Sequence, residues 1–130
     1  MDDQFTILLV EDNALMRSLI RDMLRAATQF VVVEARDGSA ALEILRQRQV
    51  DMVLSDWNML PMNGLQLLHA MRTEPELASI PFVMMTGEFN PQTATQAVAA
   101  GVADFLTKPF GRDQLAKTIT KAITGRPRAA

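Results

Sequence analysis

The chain has 130 residues, of which 48% are hydrophobic and 22% charged, with a net charge of −2 and a pI near 5.3. This is the composition of one globular domain with a hydrophobic core. The mildly acidic balance and the lack of a basic stretch argue against nucleic acid or a membrane surface as the main partner. We find no apolar run of the ~18 residues that a membrane span needs. The start Met1-Asp2-Asp3 is acidic and is not expected to begin a signal peptide.

The residue types that are rare or absent narrow the chemistry further. Without cysteine, the chain has no disulfide, thiolate metal site or cysteine nucleophile. A single histidine, His69, leaves no site that needs two, and the six glycines lie too far apart for a nucleotide-phosphate loop. Any reaction must therefore use Asp, Glu, Ser, Thr and Lys side chains.

Five short apolar runs alternate with five segments of helical period along the chain. The runs span residues 6–10, 31–35, 51–56, 81–86 and 104–107. Continuous apolar runs of this length are typical of strands covered on both faces. The alternation predicts one α/β domain with a parallel sheet and helices on both of its faces. Periodicity alone does not reveal the order of the strands.

Polar residues mark the ends of the predicted helices. Asn13 and Asn63 are expected to cap the first and third helices. The fourth has Asn90 as its N-cap, Pro91 in its first position and Gly101 just past its end. The apolar stripes are Leu15, Met16, Leu19, Ile20, Met23 and Leu24 in the first helix, Leu42 and Leu45 in the second, Leu65, Leu68 and Met71 in the third, and Leu115, Ile119 and Ile123 in the fifth.

Charged and hydroxyl side chains follow four of the five predicted strands. Glu11 and Asp12 follow the first, Asp56 ends the third, Thr86 ends the fourth and Lys108 follows the fifth. Ligands bind at the carboxyl edge of such sheets, and three carboxylates crowd together there if the first and third strands are neighbours. Their repulsion calls for a hard cation, Mg²⁺ or Mn²⁺. Carboxylate, metal, lysine and hydroxyl together are the groups needed to receive a phosphoryl group.

The sequence resembles the receiver domains of two-component response regulators, and in particular their single-domain chemotaxis branch. The resemblance covers about residues 5–123. It rests on the stretches Val10-Glu11-Asp12, Ser55-Asp56-Trp57-Asn58-Met59, Gly64-Leu65, Met85-Thr86, Ala100-Gly101 and Lys108-Pro109-Phe110. It implies a flavodoxin-like, doubly wound fold with five parallel strands in the order 2-1-3-4-5 and five helices.

The resemblance also implies a role for each residue of the phosphorylation chemistry. Asp56 is the expected phosphoacceptor. Lys108 is expected to pair with the acidic site and then with the phosphoryl oxygens, and Thr86 to hydrogen-bond the phosphoryl group. Phe105 is expected to turn inward when Thr86 moves, so that these two residues form the switch.

A metal set is implied in the same way. Asp12, Asp56 and the backbone carbonyl of Asn58 are expected to bind Mg²⁺ or Mn²⁺, with Glu11 acting largely through water. Asn58 and Glu88 flank the site, at positions where family members tune the lifetime of the phosphoryl group.

The implied function is that of a single-domain response regulator. A histidine kinase or histidine phosphotransfer protein supplies the phosphoryl group, and the phosphorylated domain signals by binding another protein. We expect a receiver domain over residues 1–124, a short tail at 125–130 and no effector domain. We also expect a cytoplasmic bacterial protein, monomeric or dimeric on phosphorylation, that catalyses only its own phosphorylation and dephosphorylation.

Two outputs remain open within this family. The stretch from Ser55 to Met59 favours chemotaxis, with the flagellar switch protein as the target. The fourth helix favours the alternative, a phosphorelay intermediate or kinase-modulating receiver, because Asn90 and Pro91 stand where chemotaxis regulators carry lysines.

Two other function classes fit less well. An aspartyl-phosphate phosphatase needs a second Asp two residues after the nucleophile, and Asn58 occupies that place. A flavin-phosphate module needs a phosphate loop after the first strand, where Glu11 and Asp12 would repel a phosphate.

Three arginines, Arg17, Arg21 and Arg25, recur every four residues on the predicted first helix. Such a row is usually a solvated face. In the receiver family, the first helix also helps to dock the kinase or the phosphotransfer partner.

Overall fold

Five strands and five helices alternate along the chain, in a computed structural model that describes residues 4–27, 29–88 and 90–124. They are β1 (Phe5–Val10), α1 (Ala14–Arg25), β2 (Phe30–Ala35), α2 (Gly38–Gln47), β3 (Met52–Asp56), α3 (Gly64–Thr73), β4 (Phe82–Thr86), α4 (Pro91–Ala99), β5 (Asp104–Thr107) and α5 (Arg112–Thr124). The strands form one parallel sheet in the order β2-β1-β3-β4-β5. This confirms the expected doubly wound α/β fold. The expected tail at 125–130 lies outside the described residues.

Two apolar clusters cover the two faces of the sheet. Because successive strand residues point to opposite faces, Ile7 and Leu9 join the cluster beneath α1 and α5, whereas Leu8 and Val10 join the one beneath α2 and α3. Strands β3 and β4 are buried at every residue, while the edge strands β2 and β5 are only partly covered. The expectation that all five strands are covered on both faces is therefore wrong for the two edges.

The polar residues at the helix ends act as predicted. The side chains of Asn13, Asn63 and Asn90 each accept a hydrogen bond from a backbone N–H of the following first turn. Pro91 opens α4, and Gly101 follows its end with a φ of 91°, a conformation that favours glycine. Each strand ends at the residue predicted from the sequence. No helix within the described ranges is long and apolar enough to cross a membrane.

The apolar stripe of α1 is narrower than predicted. Only Ile20 and Leu24 are buried, whereas Leu15 and Leu19 are 72% and 51% exposed. These two leucines lie on the side of α1 that faces away from the sheet. In α3 the buried stripe differs from the prediction: Leu68 and Met71 are buried as expected and Leu67 is buried as well, whereas Leu65 is only partly buried.

A half-buried arginine near the end of α3, Arg72, forms hydrogen bonds to the segments that lead into β4 and β5; we call this set of bonds the Arg72 clamp. The Arg72 guanidinium donates hydrogen bonds to the carbonyls of Ala78 and Ile80, both at 3.0 Å, and of Ala100 and Gly101, at 3.2 and 2.9 Å. Burial lowers the pKa of Arg72 from its ordinary value. The clamp holds the end of the sheet opposite to the polar cluster described next.

Candidate functional site

The polar residues predicted to follow the strands meet at the carboxyl edge of the sheet. Backbone hydrogen bonds extend the strand ladders to them. The N–H of Glu11 donates to the carbonyl of Ala35 at 3.0 Å, and the N–H of Lys108 donates to the carbonyl of Thr86 at 2.7 Å. The backbone at Glu11 and Lys108 is therefore hydrogen-bonded to the neighbouring strands just beyond the ends of β1 and β5.

Three carboxylates form the centre of the site. Glu11, Asp12 and Asp56 each contribute one oxygen atom, and the three atoms lie within 4.8 Å of one another. Glu11 is 1% exposed and Asp56 is 8% exposed, whereas Asp12 opens to solvent. Oxygen donors at this spacing suit a hard divalent cation, which prefers carboxylate and carbonyl oxygen ligands. The donor set thus fits Mg²⁺ or Mn²⁺.

Lys108 bridges the two buried carboxylates. Its Nζ lies 2.9 Å from Oε1 of Glu11 and 3.1 Å from Oδ1 of Asp56. Burial raises the pKa of Glu11, assisted by the charge of Asp56 and opposed by Lys108. Partial burial disfavours the ammonium of Lys108, but its hydrogen bond to Glu11 and the two negative charges outweigh that and raise its pKa. Lys108 therefore stays protonated beside Asp56.

The backbone around Asp56 adds two features that the sequence motifs do not show. The N–H of Trp57 donates to Oδ1 of Asp56 at 3.0 Å. Gly64, the first residue of α3, donates its N–H to the carbonyl of Trp57 at 2.9 Å. A Cβ at position 64 would collide with the carbonyl oxygen of Asp56 and would lie 2.8 Å from Sδ of Met84. Only glycine allows α3 to start this close to the site.

Thr86 and Phe105 lie on the same face of the sheet. Phe105 pairs in register with Met84, two residues before Thr86, and side chains two apart share a face. The Thr86 hydroxyl donates to the carbonyl of Glu88 at 2.8 Å and accepts from its N–H at 3.2 Å. Phe105 is half-buried against the α2–α3 side of the core. The phosphoryl contact of Thr86 and the inward turn of Phe105 stay predictions.

Asn58 lies beside the metal cluster. It lines an open depression of about 450 Å³ together with Asp12, Met59, Leu60 and Asn63. Asn58 thus lies near Asp12, as expected if its backbone carbonyl binds the metal. That role stays a prediction.

The match to known families decides the classification. Residues 7–120 match the family described as response regulator receiver domain. The chain belongs to this family. The chain is 36% identical to the chemotaxis protein CheY of Pseudomonas aeruginosa over 115 residues, which cover 88% of this chain and 93% of that protein. This relationship supports a function in phosphorylation-dependent signalling. Proteins of this type interact with histidine kinases and with downstream targets.

Solved receiver structures share the fold over nearly the whole chain. The chemotaxis protein CheY4 of Vibrio cholerae superposes with a TM-score of 0.86 at 29% identity, covering 92% of this chain and 98% of that one. The receiver domain of the sensor histidine kinase PA1611 of P. aeruginosa gives a TM-score of 0.85 at 26% identity, covering 93% and 98%. That structure has a magnesium ion coordinated in its active-site cleft.

Proposed function

We propose that Asp56 accepts a phosphoryl group from a phosphohistidine of a histidine kinase or histidine phosphotransfer protein. The observation that carries the proposal is the position of Asp56, with one carboxylate oxygen 3.1 Å from the ammonium of Lys108 and within 4.8 Å of oxygens from Glu11 and Asp12. A carboxylate in this setting is a nucleophile next to both a fixed cation and a metal-binding set.

The chemical step is a displacement at phosphorus. A carboxylate oxygen of Asp56 attacks, the bond from phosphorus to the donor imidazole nitrogen breaks, and the imidazole leaves with that electron pair and takes up a proton. Lys108 stabilises the charge on the transferred oxygens, because its ammonium already lies beside Asp56. Hydrolysis of the aspartyl phosphate by water completes the cycle, so the chain catalyses only its own phosphorylation and dephosphorylation.

Mg²⁺ or Mn²⁺ is the cofactor that fits the donor set. Asp12, Asp56 and the backbone carbonyl of Asn58 would hold it, with Glu11 acting through water because its Oε1 is already bonded to Lys108. When bound, the ion neutralises the negative charge of the carboxylates and the incoming phosphoryl group. The solvent-facing position of Asp12 leaves room for the donor.

The experiment for this proposal is intact-mass measurement after incubation with acetyl phosphate. With Mg²⁺ present, the chain should gain the mass of one phosphoryl group, and with EDTA it should gain none. Asp56→Asn should abolish the gain, while Asp22→Asn, an exposed acid on α1, should leave it intact. A phosphoryl group that persists in Asp56→Asn would overturn the assignment.

The phosphodonor is expected to dock on the exposed side of α1. Leu15 and Leu19 lie one turn apart there, and both are exposed. Apolar side chains beside the polar site offer contact area to a donor helix without occupying the site itself.

The output we favour is binding to a flagellar switch protein in chemotaxis. The 36% identity to CheY supports it, and so does the stretch around Asp56. The alternative is a relay or kinase-modulating receiver, supported by the start of α4 at Asn90 and Pro91, where chemotaxis regulators carry lysines. The switch in either case is Thr86, which would release Glu88 and turn to the phosphoryl group, with Phe105 moving into the space it leaves.

The two outputs are separated by titrating a receiver-binding peptide of a flagellar switch protein. The titration is done with and without Mg²⁺ and beryllofluoride, which imitates a phosphoryl group on Asp56. Binding that tightens several-fold with the mimic supports chemotaxis. Absence of binding in both states, while Trp57 fluorescence reports that the mimic is bound, supports the relay alternative.

A further inference from the structure

Arg17, near the start of α1, connects the metal-site loop to strand β2. Its Nη1 donates to the backbone carbonyl oxygen of Glu11 at 2.7 Å, and its Nε donates to Oε1 of Glu34 at 3.3 Å. The side chains of Arg17 and Glu34 are 23% and 30% exposed. The arginine row of α1 is therefore not a uniformly solvated face, because at least this member contacts the site.

The carbonyl that Arg17 holds belongs to the peptide unit between Glu11 and Asp12. The N–H on the other side of Glu11 donates to the carbonyl of Ala35 at 3.0 Å. Because a peptide unit is planar, fixing the direction of the Glu11 carbonyl also fixes the direction in which the chain enters Asp12. Asp12 is the exposed carboxylate of the cluster, so it gains the most from a fixed backbone.

Glu34 explains why Arg17 stays in place. It is the charged residue of the otherwise apolar strand β2. Its carboxylate forms ion pairs with two arginines, Arg17 at 3.3 Å and Arg21 at 3.6 Å. A charge-assisted hydrogen bond to a partly buried carboxylate restricts the long arginine side chain. Glu34 thus binds Nε of Arg17, while Nη1 stays bound to the carbonyl oxygen of Glu11.

We propose that Arg17 is a positioning residue of the metal site, and that Glu34 positions Arg17. Arg17 holds the Glu11–Asp12 peptide so that the Asp12 carboxylate stays within reach of a cation bound to Asp56. The inference rests on the proposed metal-dependent phosphorylation. A purely electrostatic effect of Arg17 has the opposite sign, because removing a positive charge near three carboxylates strengthens cation binding.

The test is a titration with Mn²⁺ in which the electron paramagnetic resonance signal reports free Mn²⁺. Arg17→Met should raise the dissociation constant roughly tenfold, as loss of a residue that orients a metal ligand does. Arg17→Lys should restore part of the affinity, and Glu34→Gln should weaken binding several-fold. Arg25→Met is the matched control, because it removes the same charge from an exposed position of the same helix.

Phosphorylation by acetyl phosphate gives a second readout. Arg17→Met should be slow at low Mg²⁺ and approach the rate of the unmodified chain at saturating Mg²⁺, since the nucleophile and Lys108 are unchanged. A general loss of structure would lower the rate at both concentrations.

Equal or tighter Mn²⁺ binding by Arg17→Met, with an unchanged circular dichroism spectrum, would overturn the proposal. If Arg17→Met does not fold, Glu34→Gln decides, and an unchanged dissociation constant in that variant overturns it as well. Failure of the unmodified chain to bind Mn²⁺ is a different result, because it contradicts the proposed metal site itself.

Discussion

The ammonium of Lys108 lies 2.9 Å from the carboxylate of Glu11, across 97 residues of sequence. Glu11 is more buried than Asp56, so this ion pair holds the lysine ammonium on the buried side of the site. Asp56 lies 3.1 Å from the same ammonium and is closer to solvent. The ammonium of Lys108 thus lies beside Asp56 without a phosphoryl group present. In the proposed transfer, this positive charge stabilises the negative charge on the transferred oxygens.

Replacing that ammonium should leave two buried carboxylates without a counter-charge. We expect Lys108→Met to lower the free energy of unfolding by about 2 kcal/mol at neutral pH without metal. Mg²⁺ should restore part of the loss, because the cation takes over the charge compensation. Urea unfolding with and without Mg²⁺ measures both effects, with Lys117→Met, an exposed lysine of α5, as the control. Unchanged metal-free stability of Lys108→Met would contradict this account of the site.

Asp12→Asn separates metal binding from folding. Its amide removes one negative charge from the cluster, so the metal-free melting temperature should rise slightly. At Mg²⁺ a hundredfold above the dissociation constant, the unmodified chain should gain about 2.7 kcal/mol, and Asp12→Asn should gain less than half of that. Differential scanning calorimetry with and without Mg²⁺ measures the gain. Glu43→Gln, an exposed acid on α2, should behave like the unmodified chain; an equal Mg²⁺ effect in Asp12→Asn would exclude Asp12 as a ligand.

Gly64→Ala should disturb the site through the backbone. The added Cβ would collide with the carbonyl oxygen of Asp56 and crowd Met84, so either α3 or the end of β3 must shift. We expect a loss of about 1–3 kcal/mol in stability and slower phosphorylation of Asp56. Gly111→Ala is the control, because a Cβ there meets no atom within 4 Å. Equal urea midpoints and equal phosphorylation rates for the two variants would show that the close approach is not required.

The exposed pair of Arg46 and Glu74 predicts a pH effect far from the site. Their side chains approach to 2.7 Å between α2 and the end of α3, and the hydrogen bond from Arg46 lowers the pKa of Glu74. A lowered carboxyl pKa contributes stability above the ordinary value of 4.5 and loses it as the pH falls through the lowered pKa. Glu74→Gln should therefore be slightly less stable than the unmodified chain at neutral pH, and the difference should vanish in acid. Urea unfolding along a pH series tests this, and a difference that grows in acid would contradict it.

Local patterns in the sequence were enough to predict where most helices and strands begin and end. Asn90, Pro91 and Gly101 mark both ends of α4, because capping and backbone conformation depend on neighbouring residues. The strand ends were predictable for the same reason. The strand order came only from the family resemblance, since periodicity carries no information on which strands pair.

Tertiary packing and hydrogen bonds from side chains to backbone carbonyls account for the features that the sequence did not reveal. Leu15 and Leu19 have the helical spacing of buried residues, but both lie on the exposed side of α1. The bond from Arg17 to the carbonyl of Glu11 and the four-carbonyl clamp of Arg72 join segments that no local pattern relates. The residue types of the site were predictable; the supports that hold them were not.

The most direct measurement maps the modified residue itself. After phosphorylation by acetyl phosphate with Mg²⁺, borohydride reduction converts an aspartyl phosphate to an alcohol, which tandem mass spectrometry locates in the peptide. The account predicts reduction at Asp56 and at no other carboxylate, with none when Mg²⁺ is removed. Reduction at Asp12 or Glu11, or an unreduced chain despite Mg²⁺, would contradict Asp56 as the phosphoacceptor.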